Sequence, residues 1–239
     1  MNNSIEVIAH RGSTTPIIRE NTILAFRKAI EWKADMIETD VRRMKDGNLV
    51  CAHNPDWKGK RLSDMTYEEW KRLTLTEEGW QPARLKETFE LCEGRIPLNL
   101  EIKEKDIESE VFQAIPESYP VQDLLFSSFE DQVIKKIKSI NSNVKTSLIV
   151  GKSMLGKAKI KGKTYWRDYY PETRLRETDA DAICPYYNLL DLNFESRLRG
   201  NGYRMYVWTV NKEEKLREVK NYEIDGIFTD DVPLAFRIF

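Results

Sequence analysis

Eight strand-like segments alternating with helical ones predict a (β/α)8 barrel for this chain of 239 residues. Two further observations support it. Charged residues alternate with aliphatic ones inside individual strands, and no Gly-x-Gly-x-x-Gly or P-loop accompanies them, as an open nucleotide-binding sheet would require. The strand segments are residues 5–9, 36–41, 97–103, 124–128, 145–150, 181–185, 204–210 and 225–229. After the first, Asn21 is placed to cap a helix whose Ile23, Phe26, Ala29 and Ile30 follow helical spacing. Lys45-Asp46-Gly47-Asn48 reads as a tight turn that folds residues 48–53 back beside the second strand. A polar excursion over residues 54–81, with a helix around 67–73, precedes a helix that turns Leu85, Phe89 and Cys92 inward. Later helices are expected from Glu130 (Val133, Ile134 and Ile137 inward), over 192–199, and after Asn211, with Glu214 set for a capping box. Asn211 itself reads as a helix cap. The whole span 1–239 is taken as one barrel domain.

The chain contains only two histidines, and each closes a strand: His10 after Ile8-Ala9, and His53 after Cys51-Ala52. Imidazole is the side chain that exchanges protons near neutrality, so an acid–base enzyme built on histidine has only these two to use. Between them lies Met36-Ile37-Glu38-Thr39-Asp40-Val41, whose two carboxylates share one face of a strand. The pattern recurs at Asn99-Leu100-Glu101-Ile102-Lys103. An exposed antiparallel strand would alternate in the same way. In a sheet covered by helices, however, these charges must point into an interior, and buried carboxylates are costly unless paired or metal-bound. Three converging carboxylates offer hard oxygen ligands suited to Mg²⁺ or Ca²⁺. Zinc is not indicated, since Cys51, Cys92 and Cys184 are scattered and no His-Glu-x-x-His is present. His10, Glu38, Asp40, Glu101 and Lys103 all fall at carboxyl ends of strands, the face on which barrels carry active sites, and Trp208 is expected on the same rim.

Composition narrows the rest. A formal net charge of −1 and a pI near 6.3 give no sign of a nucleic-acid binder. The odd, scattered cysteines fit a reducing compartment. The first strand starts at once and no apolar stretch reaches membrane-spanning length, so a cytoplasmic location is expected. A serine hydrolase is not supported, because Gly-x-Ser-x-Gly is missing. Residues 151–164 carry Lys152, Lys157, Lys159, Lys161 and Lys163 without an acid. This run reads as a solvated loop, or as a rim element that attracts anionic substrates or a lipid surface.

Taken together, the residues resemble the glycerophosphodiester phosphodiesterase family. The matching pieces are His10-Arg11-Gly12, Glu20-Asn21-Thr22, Glu38-Thr39-Asp40, Lys45-Asp46-Gly47, His53, Asn99-Leu100-Glu101-Ile102-Lys103, Ser128-Phe129, Trp208-Thr209-Val210-Asn211 and Gly226-Ile227-Phe228-Thr229-Asp230. They run in family order over almost the whole chain. The resemblance implies a phospholipase-C-like barrel that hydrolyses glycerophosphodiesters to an alcohol and glycerol 3-phosphate. It implies His10 as base and His53 as acid, or the reverse, one divalent cation, Mg²⁺ or Ca²⁺, on Glu38, Asp40 and Glu101, and Arg11, Lys103 and Trp208 on the substrate. Lysophospholipids or sphingomyelin are the neighbouring substrate classes, and a non-catalytic phosphodiester-binding barrel is the reading from a different class. The chain departs from the family at His53-Asn54, where the family usually has His-Asp. It departs also at Arg19, where proline is common, in its short excursion, and in the extra residue at Asp230-Asp231 before Pro233.

Overall fold

The computed structural model describes residues 5–152 and 163–239. In chain order the elements are β1 (Glu6–Ala9), α1 (Ile23–Glu31), β2 (Met36–Arg43), β3 (Leu49–Cys51), β4 (Asp56–Trp57), β5 (Lys60–Arg61), α2 (Tyr67–Glu78) and α3 (Leu85–Cys92). There follow β6 (Leu98–Ile102), α4 (Glu108–Ala114), β7 (Leu124–Ser128), α5 (Asp131–Ile140), β8 (Lys145–Val150), α6 (Lys163–Tyr169) and α7 (Glu172–Thr178). The chain ends with β9 (Ala182–Pro185), α8 (Leu192–Gly200), β10 (Arg204–Val207), α9 (Glu213–Val219), β11 (Gly226–Thr229) and α10 (Val232–Ile238).

Strands β1, β2, β6, β7, β8, β9, β10 and β11 pair in parallel, each with its neighbour in the chain, and β1 joins both β11 and β2 to close the barrel. Alternation decides what each face buries. The odd face of β2 sends Ile37 and Val41 outward, with Val7, Leu98, Leu100, Phe126 and Ile183, against Phe26, Phe89, Ile134 and Phe194 of the surrounding helices. The other parity forms the barrel interior. Ile8, Leu125, Ile149, Cys184, Tyr206 and Phe228 fill it. The excursion has a separate small core of Trp57, Leu62, Met65, Tyr67 and Trp70 packed on Val50 and Ala52.

Local chemistry accounts for the element ends. Thr66 and Glu69 form a reciprocal capping box at the start of α2, and Gly79 ends that helix in the left-handed conformation. Asp191 and Asp231 cap α8 and α10. Two expectations fail here. Thr22, not Asn21, caps α1, with its hydroxyl accepting from the Ala25 N–H at 3.2 Å. At α9 the cap position is Lys212 with no side-chain bond, so neither Asn211 nor Glu214 caps it. The two asparagines are drawn elsewhere by stronger partners. The helix predicted around 67–73 extends to Glu78, and α4, α6, α7 and α10 add to those predicted. The lysine run falls largely on residues 153–162, outside the described residues.

The β1–α1 turn sets the site. Gly12 has φ +83°, and a Cβ there would lie 2.8 Å from both the carbonyl carbon and the Cβ of Ala25. Only glycine allows this approach, which leaves the preceding Arg11 N–H aimed at β2. Gly12→Ala is expected to cost about 2 kcal/mol or more, a fall of roughly 4–8 °C in Tm. Thermal unfolding followed by circular dichroism tests this, and an unchanged Tm would show that the turn relaxes freely.

Candidate active site

Register places the acidic groups. Glu38 pairs with Asn99 and Asp40 with Glu101 across the β2–β6 ladder, all on the interior parity. β3 returns antiparallel beside β2, and Ala52 N donates to Asp40 O at 2.9 Å, which puts His53 just beyond Asp40. Asp40 is fully buried and Glu38 is 3% exposed. One oxygen from each of Glu38, Asp40 and Glu101 can be chosen so that all lie within 4.8 Å of one another.

Each carboxylate has a donor on one side. Glu38 Oε2 accepts from the Arg11 backbone N–H at 2.8 Å. Asp40 Oδ2 accepts from Asn21 Nδ2 at 2.8 Å, and Asn21 Oδ1 in turn accepts from Thr39 Oγ1 at 2.7 Å. Asn21 holds φ +55° to do this, so its amide supports Asp40 rather than a helix end. Arg11 Nη1 binds Glu20 at 2.9 Å, and its Nε is 3.2 Å from Asp40 Oδ2. Lys103 Nζ is 2.6 Å from Glu101 Oε1 and 3.2 Å from Asp40 Oδ1. Among the described residues Glu38 Oε1 is buried without a hydrogen bond, and Asp40 Oδ1 has only the Lys103 ammonium at 3.2 Å. Buried carboxylate oxygens with so few donors are expensive, and this set of hard oxygens would suit a bound cation.

The electrostatics agree. Burial, then the charge of Asp40, pushes the Glu38 carboxyl up to about 8. Burial also raises Glu101, against the pull of Lys103. Asp40 would be raised by burial, but Lys103 and Arg11 overcome this and lower it to about 2. Three carboxylates in one desolvated pocket cannot all stay charged on the donors present. A divalent cation, which prefers such hard oxygens, would allow it.

The histidines have different supports. His10 Nδ1 lies 2.7 Å from Asp230 Oδ1, across the seam between the first and last strands. Asn211 holds that carboxylate: its Oδ1 accepts from the Asp230 N–H at 2.8 Å, and its Nδ2 donates to Asp230 Oδ2. Asn211 therefore serves the site and not a helix. Burial alone would lower His10, but Asp230 and the charge of Glu38 raise it overall. His53 Nδ1 meets Asn54 Oδ1 at 3.0 Å, and its carbonyl is clamped by Arg42 Nε and Nη2 at 3.1 and 2.8 Å. Burial, the largest influence, lowers its pKa. With each Nδ1 engaged, Nε2 is the nitrogen left for chemistry on both rings.

Trp208 spends its indole N–H on Cys184 O at 2.8 Å and turns its ring to Phe129 and Tyr186, with centroids 5.5 and 5.1 Å away. This aromatic wall stands beside Lys103, whose Nζ is 5.8 Å from the Phe129 ring. All eight site residues expected from sequence thus lie on the carboxyl-end face. Asp230, Asn21 and Asn211 were missed as site residues. Asp230 stood inside a quoted motif, but nothing local revealed that it reaches His10. A cleft of about 1080 Å³ among the described residues lies outside the barrel mouth, so converging charges locate the chemistry better than volume does.

A closed eight-stranded barrel with buried acids and two histidines on its carboxyl-end face defines a phosphodiesterase-type hydrolase. The chain belongs to the glycerophosphoryl diester phosphodiesterase family, whose model matches residues 10–234. The glycerophosphodiester phosphodiesterase of Caldanaerobacter subterraneus subsp. tengcongensis is 29% identical over 242 residues, covering 94% of this chain and 93% of its own length. The crystal structure of the enzyme from Thermotoga maritima aligns over 100% of both chains, with a TM-score of 0.80 and 28% identity. A phosphodiesterase from Oleispira antarctica, solved in complex with the product sn-glycerol-3-phosphate, has the same fold, with a TM-score of 0.78 and 23% identity over 98% of this chain and 96% of its own. The family resemblance and the barrel fold expected from the sequence are both borne out.

The ordinary value for Glu38 is 4.5 and the folded value about 8, so its favourable contribution is complete below the lower value and is lost as pH rises through the higher. A bound cation offsets that loss. Mg²⁺ or Ca²⁺ is therefore expected to raise Tm more at alkaline than at mildly acidic pH, and Glu38→Gln should flatten this trend. Differential scanning fluorimetry across pH, with chelator as reference, is the check. Equal increments at all pH values would remove Glu38 from the cation site.

Proposed function

We infer that the chain hydrolyses glycerophosphodiesters to an alcohol and glycerol 3-phosphate, with His10 and His53 as an acid–base pair and one divalent cation, Mg²⁺ or Ca²⁺, on Glu38, Asp40 and Glu101. The observation that supports this reading best is a buried cluster of three carboxylates whose charges reach both imidazoles, Glu38 acting on His10 and Asp40 on His53. When bound, the cation would supply positive charge to the phosphoryl oxygens and stabilise the charge that builds on them.

The protein side follows from the geometry. Arg11 and Lys103 add fixed cationic donors beside the acidic pocket, where an anionic phosphodiester would otherwise be repelled. His10 takes the proton of the nucleophile, either water or the substrate's adjacent hydroxyl, as its bond to phosphorus forms. Asp230 makes it the better proton acceptor, orienting the ring and stabilising the imidazolium. His53 gives its proton to the departing alkoxide as the opposite P–O bond breaks. The Asn54 amide oxygen holds its Nδ1–H, so the proton it gives is the Nε2–H of the imidazolium form. Trp208 and Phe129 wall the pocket with apolar surface. A non-catalytic barrel is disfavoured, since neither ring's Nε2 is consumed by an internal partner among the described residues. We take the span 1–239 as one barrel unit. A cytoplasmic location accords with three buried free cysteines, and no described helix is long and apolar enough to cross a membrane.

Hydrolysis of a panel of glycerophosphodiesters and lysophospholipids, followed by phosphorus NMR with Mg²⁺ or Ca²⁺, tests the reaction. Chelation is expected to abolish turnover and either cation to restore it, while full activity in metal-free protein would overturn the site. His10→Ala and His53→Ala should each lower kcat by at least about 10²-fold. Cation-induced stabilisation should persist in both, because neither is a proposed ligand. Asn54→Asp should raise the His53 pKa and carry the basic limb of the pH–rate profile upward. An identical profile would separate position 54 from the proton transfer.

A further inference from the structure

Arg42 follows Asp40 by two residues on β2 and so shares its face of the strand. It is buried, with 8% of its surface exposed. Val50 stands opposite it in the β2–β3 ladder, but the guanidinium reaches on to the end of that return strand. Nε and Nη2 both donate to the His53 carbonyl, at 3.1 and 2.8 Å. Nη1 donates to Glu104 Oε1 at 2.9 Å, and the other oxygen of that carboxylate accepts from the Arg43 N–H at 3.2 Å.

Two arms of the site meet at this one side chain. Glu104 directly follows Lys103, whose own N–H donates to Val41 O at 3.2 Å. The guanidinium therefore ties the loop carrying His53 to the strand end carrying Glu101 and Lys103. Backbone is held on both sides of the His53 ring: by Asp40 through the Ala52 N–H at 2.9 Å, and by Arg42 through the His53 carbonyl. Asn54 also touches the ring, but it belongs to the same loop and moves with it. Arg42 refers that loop to the barrel. Burying a guanidinium is costly unless its donors are met, and an aliphatic side chain would serve stability better. A planar fork can converge on one carbonyl while diverging to a carboxylate; a lysine ammonium, a point charge on a flexible stem, fixes no such angle.

We propose that Arg42, held by Glu104, is a positioning residue that sets where the His53 ring stands relative to Glu101 and Lys103, and through it the delivery of a proton to the leaving alkoxide. The proposal rests on the function above, in which His53 is the acid.

The test compares two diesters. The alkoxide of glycerophosphoethanol needs a proton to leave, whereas the phenolate of glycerophospho-4-nitrophenol leaves without one. His53→Ala on this pair sets the pattern for loss of the acid. In Arg42→Lys, kcat for glycerophosphoethanol is expected to fall about 10-fold or more, the scale of a misplaced catalytic group, and that for the nitrophenyl ester by a much smaller factor. Glu104→Gln, at a side chain 30% exposed, should show the same bias more weakly, and it decides the matter if Arg42→Lys does not fold. Stabilisation by Mg²⁺ should persist in both. The chain has two histidines, so proton NMR reads two imidazole Cε1–H signals. The one absent from His53→Ala should shift in Arg42→Lys, and the other should stay. Parent-like rates on both diesters, an equal loss on both, a lost response to Mg²⁺ or an unmoved His53 signal would each overturn the positioning role and leave the hydrolase intact. No turnover of either diester by the parent protein overturns the hydrolase reading instead.

Discussion

Everything at the barrel mouth depends on keeping Glu38, Asp40 and Glu101 together out of water. Mutual repulsion and desolvation both oppose that arrangement, and the protein answers with donors placed one side at a time: the Arg11 N–H on Glu38, Asn21 on Asp40, Lys103 on Glu101. On the opposite side, among the described residues, Glu38 Oε1 has no hydrogen bond and Asp40 Oδ1 has only the Lys103 charge. A structure that wanted only stability would replace such a cluster with aliphatic side chains. Its persistence inside a barrel otherwise filled by Ile8, Leu125, Ile149 and Phe228 marks a place where stability is given up for chemistry.

The backbone around the cluster is shaped by the same demand. Arg11 and Asn21 both adopt positive φ, a conformation in which non-glycine residues are uncommon, and Gly12 stands between them in the same region. Three such residues within one connection let a single turn deliver a backbone N–H, a guanidinium and an amide to two carboxylates on the next strand. The strands impose register, and this turn converts register into a site.

Much of this was legible in the residues. Strict alternation at Glu38/Asp40 and Asn99/Glu101/Lys103 exposed the interior polar face, because a two-residue period survives whatever packs around it. The eight strands, the β2–β3 return and the inward faces of α1, α3 and α5 were readable for the same reason. Asn21 and Asn211 were misread because capping preference is a local rule, whereas their actual partners, Asp40 and Asp230, lie nineteen residues along the chain. Asp230 pairs with a residue 220 positions away, a contact no window reveals. The brief helices α4, α6 and α7, seven residues each, are too short to show a stripe.

The bond between His10 and Asp230 joins the first and last strands of the barrel, since β1 and β11 meet only when it closes. During synthesis the amino-terminal imidazole, the acidic cluster and the second histidine all leave the ribosome long before residue 230 does. A nascent chain therefore carries most of its reactive groups early but lacks the carboxylate that orients the first of them. That contact then arrives with the last strand, in the same event that closes the barrel. Chains stalled before that strand would lack this contact, so the first imidazole has its carboxylate partner only in a closed barrel.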